Sequence, residues 1–144
     1  MNEAVSKTPW HLWVVGVLTL IFNLGGVVDY TGTHAFPDQY LAGFEADARE
    51  YFTSFPAWQV FFWALGVWGA FAGSVLLLMR RRYAIHAIGI ALVGLAVMTF
   101  VQYTSEWPAS IDIPGVHIFN AVIWAVQVLT LYYANRQKNA GVLR

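Results

Sequence analysis

The chain has 144 residues, of which 58% are hydrophobic, 17% aromatic and only 11% charged, against about 45–50% apolar and about 25% charged in soluble domains. A water-soluble core of this size has no room for so much apolar surface, so the expected solvent is a bilayer. There is no cysteine and the formal charge is zero, which excludes disulfides, thiolate metal sites and cysteine nucleophiles.

Four windows are long and apolar enough to cross: residues 10–30, 56–79, 83–104 and 114–133, each near the roughly 20 residues that a spanning helix needs. The first has the length of a signal sequence. It lacks a small-x-small cleavage site and carries polar groups inside it, so it reads as a retained span. Residues 1–144 are thus expected to form a single all-α integral membrane domain, a four-helix bundle running up-down-up-down.

Along span one, Gly16, Thr19, Asn23, Gly26 and Tyr30 recur at alternating intervals of three and four, which is one helical stripe. An unpaired amide in lipid costs a few kcal/mol, so this stripe should face the bundle interior, with Gly16, Gly25 and Gly26 admitting a neighbouring helix. Asp29 stands at the outer edge of the span, and an intramembrane carboxylate is a functional candidate. It could instead be structural, paired with His117 or His34 or with backbone near Thr31 and Thr33.

The loop after span one has its own periodicity. After Pro37, apolar residues fall at Leu41, Phe44, Ala48, Tyr51, Phe52 and Phe55 while charged residues take other faces, which predicts one amphipathic helix over about 38–52. Span two then carries Gly66, Gly69 and Gly73 on one side, and span three carries Ala87, Ala91 and Gly94. Small residues in register let membrane helices approach closely, so these glycines are read as packing positions. The turn between spans two and three is only "RRR", making these two antiparallel neighbours.

On span four, His117, Asn120, Trp124, Gln127 and Leu131 form a second stripe. At about 1.5 Å per residue, Asn23 and Asn120 come out at nearly the same depth, roughly 10 and 9 Å below the outer ends of their spans. Gln59, Thr99, Gln102, His117 and Asp29 fall above them. Together with Trp124 these residues predict a polar bowl open to the outside. The last residues, "RQKNAGVLR", read as a frayed tail.

The four histidines raise the question of haem. No helix carries two of them a dozen residues apart, so no haem, quinone, metal or other cofactor is expected. Seven basic residues (Lys7, Arg80, Arg81, Arg82, Arg136, Lys138, Arg144) lie on one side and seven acids (Asp29, Asp38, Glu45, Asp47, Glu50, Glu106, Asp112) on the other. The positive-inside rule then places both termini in the cytoplasm.

The segments "TPWHLWVVGVL", "FNLGGVVDYTGT" and "SFPAWQVFFWALGVWGAFAGSVLLLMRRRYA", with the terminal "GVLR", resemble a family of small four-span proteobacterial inner-membrane proteins, many loosely labelled sugar transporter. The resemblance covers most of the chain and implies a bacterial plasma membrane and a four-helix fold. No nucleophile, nucleotide or metal motif is present, so the expected role is non-enzymatic: an accessory protein associating in the bilayer with itself or with other membrane proteins, without nucleic acid. The alternative is binding or transport of a small polar molecule, such as a sugar, through the outer bowl. An acid–base pair of Asp29 and His117 would be the basis of an enzymatic reading.

Overall fold

The computed structural model describes residues 6–144, so the first five positions of the expected domain lie outside the described residues. Six helices follow in order: α1 (Trp10–Ala35), α2 (Pro37–Tyr40), α3 (Ala46–Thr53), α4 (Ala57–Leu78), α5 (Ala84–Thr104) and α6 (Pro114–Asn139). Four of them, α1, α4, α5 and α6, are long and apolar enough to span a membrane. The chain is a multi-pass membrane protein.

The four long helices alternate in direction. At one end, the basic end, Arg80 beyond α4 bonds Thr8 ahead of α1, and His11 of α1 meets the Tyr133 hydroxyl of α6. At the other, the acidic end, Tyr103 late in α5 bonds His117 early in α6 at 2.7 Å. Helices α4 and α5 form the most extensive pair and α1 packs on α4, whereas α6 packs chiefly on α5 and touches α1 little.

The expected glycine seam explains the α4–α5 pair. A Cβ on Gly94 would stand 2.5 Å from the Gly66 backbone nitrogen, one on Gly69 would stand 3.1 Å from the Ala87 carbonyl oxygen, and one on Gly73 would meet Ile88 at 2.5 Å. At Gly94, where both close neighbours are backbone, only hydrogen fits. Gly16 brings α1 close as well, lying against the Leu78 side chain. Two glycines differ from expectation. A Cβ on Gly25 would meet nothing within 4 Å and one on Gly26 would reach only ordinary contact with the Val67 methyls, from 3.8 Å, so neither marks a close helix crossing.

Three boundaries also depart from the sequence reading. Helix α1 continues to Ala35, five residues beyond the expected end of span one. The loop holds two short helices rather than one, since the chain breaks at residues 41–45 around Gly43, a residue that costs about 1 kcal/mol in a helix interior. Leu41 and Ala48 are buried beneath this cap.

The third departure is the tail, which is ordered. Helix α6 runs to Asn139, and Gly141 then takes φ 75°. Val142 N–H donates to Gln137 O at 2.9 Å and Gly141 N–H to Lys138 O at 3.0 Å, the double bond of a Schellman ending. That turn folds Val142 and Leu143 back into a core with Leu12, Leu77, Ala84, Ile88 and Ala134. Helix α4 ends in the same way with Arg80 at φ 57°, Arg81 N–H reaching Leu76 O at 2.8 Å. The two endings then pair, Arg144 N–H to Arg80 O and Arg82 N–H to Arg144 O, both at 2.9 Å.

Candidate functional site

The polar stripe of α1 faces inward: Gly16, Thr19 and Asn23 are buried. Asn23 is the hub. Its amide nitrogen donates to Ser74 Oγ at 2.8 Å and to Ala70 O at 3.1 Å on α4, and its oxygen accepts from Gln127 Nε2 on α6 at 2.8 Å. One side chain thereby ties three helices together. The level of this tie corrects the depth reading: Asn23 stands beside Gln127, which is seven residues, or about 10 Å, deeper along α6 than Asn120. The extra length of α1 is the reason, since it moves the outer end of that helix away from Asn23.

Outward from this tie the helices enclose a cavity of about 590 Å³. Its floor is Asn23, Ala70 and Gln127. Its walls are Gly25 and Gly26 of α1, Phe62, Trp63, Gly66 and Val67 of α4, Leu95 and Met98 of α5, and Phe119 and Ile123 of α6. The void follows from side-chain size, because Gly25 and Gly26 leave α1 bare where α6 stands off. Phe22 and Phe119 approach across that gap with ring centroids 6.4 Å apart. Trp63 is held in place by Tyr30 at 5.3 Å, His34 at 5.1 Å and Phe55 at 5.8 Å.

The mouth at the acidic end carries Asp29 and Tyr40. The Tyr40 ring lies over Gly32, one turn beyond Asp29, where any Cβ would collide with it. From there its hydroxyl donates to Asp29 Oδ1 at 2.8 Å. Burial first, and then this bond to the carboxylate, push the Tyr40 phenol up to about 12, so it remains a donor across ordinary pH. His34 is turned aside to the Tyr30 carbonyl at 2.7 Å. Asp29 forms no ion pair among the described residues.

Of the residues expected to line a polar bowl, only Asn23 and Asp29 border this cavity. Thr99 and Trp124 instead bond each other at 3.0 Å between α5 and α6. His117 is claimed by Asp112 at 2.7 Å and Tyr103 at 2.7 Å, with Trp107 stacked on its ring at 4.9 Å. The Asp29–His117 pair is therefore not formed. Gln59 is buried at the start of α4, Gln102 lies beside Trp107 through its carbonyl, and the Asn120 amide nitrogen is buried without a partner. The stripe reasoning failed in part because one helical stripe can serve two neighbours: Trp124 and His117 turn to α5, while Gln127, deeper on the same stripe, turns to Asn23 of α1.

Sequence reasoning missed Tyr40, Gly32 and the apolar walls. Pro37 was a signal for Tyr40, since a helical turn begun there brings residue 40 back over α1. Gln127 belonged to a recognised stripe but was placed below the bowl; it is the cavity floor. Among the described residues no group of His, Cys, Asp and Glu side chains is placed to hold a metal. Comparison with family models, with curated proteins and with solved structures finds no match.

Proposed function

We propose that this protein is a non-enzymatic membrane protein that holds a small amphiphilic molecule in the cavity between α1, α4, α5 and α6. The observation that carries this reading is the cavity itself: about 590 Å³, walled by Phe22, Phe62, Trp63 and Phe119, with Asp29 at its mouth. Ligand sites typically measure about 300–1,000 Å³, with apolar walls and few polar groups. The aromatic walls favour an apolar body over a sugar.

The charge distribution supports a bacterial inner membrane with both termini in the cytoplasm, so that the basic end lies inside and the cavity mouth opens to the periplasm. The resemblance to small four-span inner-membrane proteins points the same way. Reporter fusions after Arg82 read as cytoplasmic on this reading, and a fusion near Glu45 as periplasmic.

Gly25→Leu tests the binding role. A Cβ there meets open space, and because Gly25 borders the cavity the added side chain is expected to take up part of it. Mass spectrometry of the natural chain, extracted in mild detergent, should find a molecule retained that Gly25→Leu lacks at equal melting temperature. Equal retention, or none in either, rejects the reading.

A second reading is association with another membrane protein or a second copy. It rests on α6, whose apolar window is only 11% buried within the chain against 22–28% for the other three. Recovery of the native chain as a monomer without a stoichiometric partner would reject it.

A further inference from the structure

Resting on that binding role, we infer that the cavity selects a cationic amphiphile: an organic ammonium held at Asp29, on an apolar body seated among the aromatic walls.

One acidic group stands at the mouth of the cavity. It is the Asp29 carboxylate, to which Tyr40 donates one hydrogen bond and which no described cationic side chain meets at ion-pair distance, the nearby His34 ring being turned to the Tyr30 carbonyl. At the floor the Asn23 amide is spent on Ala70, Ser74 and Gln127.

Between the two ends the walls are aromatic. Trp63 and Tyr40 border the mouth together with Asp29, and Phe22, Phe62 and Phe119 follow inward. Ring faces attract cations, most strongly where water is scarce, and repel nothing in a hydrocarbon body. No basic side chain lines the cavity, so an anion would meet only repulsion from Asp29. The spacing sets the size. Asn23, level with Gln127, and Asp29 are six residues apart on α1, which is about 9 Å along the helix.

The test uses the full chain in a maltoside micelle, which contributes no ammonium. Three probes share one phenylbutyl body: 4-phenylbutylammonium, the neutral 4-phenylbutanol and the anionic 5-phenylpentanoate. The ammonium should bind about tenfold tighter than the alcohol, and the carboxylate not detectably. Asp29→Asn keeps an acceptor for Tyr40 and should reduce the ammonium to the affinity of the alcohol while leaving the alcohol unchanged. Displacement by added phosphatidylethanolamine would identify a lipid headgroup as the source of the ammonium; absence of displacement would identify a free amine.

Equal binding of ammonium and alcohol, or indifference of the ammonium to Asp29→Asn, overturns the inference and leaves the binding role intact. Failure of every probe overturns it too. The binding role then stands if the natural chain retains a molecule that Gly25→Leu lacks, and falls with the inference if it does not.

Discussion

Gly66 and Gly94 face one another across the α4–α5 crossing so closely that a Cβ on Gly94 would lie 2.5 Å from both the Gly66 nitrogen and the Phe62 carbonyl oxygen. Both neighbours are backbone and cannot swing aside. The crossing also sets the back wall of the cavity, since Gly66 and Gly94 both border it. Gly94→Ala is expected to destabilise the chain by about 1–3 kcal/mol. Gly25→Ala, which meets open space, should be neutral or stabilising by up to about 1 kcal/mol through helix propensity. Thermal unfolding of the two variants in one detergent compares them directly; similar melting temperatures would contradict the seam.

Asn23 joins α1 to α4 and α6. Asn23→Leu keeps the branching of the side chain but strips Gln127 of its remaining bond. The expected loss is about 1–2 kcal/mol, near the upper end for hydrogen bonds between membrane helices. Ser74→Ala should cost less, because Asn23 retains its bond to Ala70 O. A double-mutant cycle of Asn23→Leu with Gln127→Leu should be markedly non-additive; additive losses would mean that the two amides act separately.

Leu143 is 5% exposed and Val142 4%, both held in the basic-end core by the turn at Gly141. Leu143→Ala should cost about 2–3 kcal/mol as a buried truncation. Gly141→Val, which forces a β-branched residue to φ 75°, should release the tail. Limited proteolysis after Arg136 reads both: a tail in either variant that stays as protected as in the natural chain would argue against docking.

Asp47 in α3 accepts from the Ser110 hydroxyl at 2.6 Å and the Ser110 N–H at 3.2 Å, linking the first loop to the second. The Ser110 hydroxyl bond holds its carboxyl below the usual 3.8. For a depressed carboxylate the stabilisation is present above the unfolded value and is lost as pH falls through the folded one. Hydrogen exchange over residues 46–53 should therefore be constant from neutral pH down to about 4, after correction for intrinsic rates. It should rise below that. Asp47→Asn should show the raised exchange throughout, and a flat profile in the natural chain would contradict the link.

Much of the fold was legible in the sequence because membrane helices obey one-dimensional rules. Length and apolarity marked the four spans, charge divided the ends, and small residues at helical spacing marked the α4–α5 seam that Gly66, Gly69, Gly73 and Gly94 build. The stripe of Gly16, Thr19 and Asn23 was likewise readable, since a polar group must turn away from lipid. Gly141 followed by Val142 carries the signal of a Schellman ending, although the polar run before it reads as a frayed end.

What only the tertiary structure decided is which face meets which, and at what height. Periodicity gives Asn23 a direction, yet its partners depend on where α1 ends, and Thr31, Gly32 and Thr33 do not look like span residues. They remain helical because Gly32 receives the Tyr40 ring and Thr33 is buried. That length sets Asn23 beside Gln127 rather than Asn120, while α6 turns Trp124 and His117 toward α5. The cavity is the volume left when one tight helix pair, one amide tie and two bare glycines are satisfied together. No window of sequence contains a volume of that kind, because each of its walls comes from a different helix.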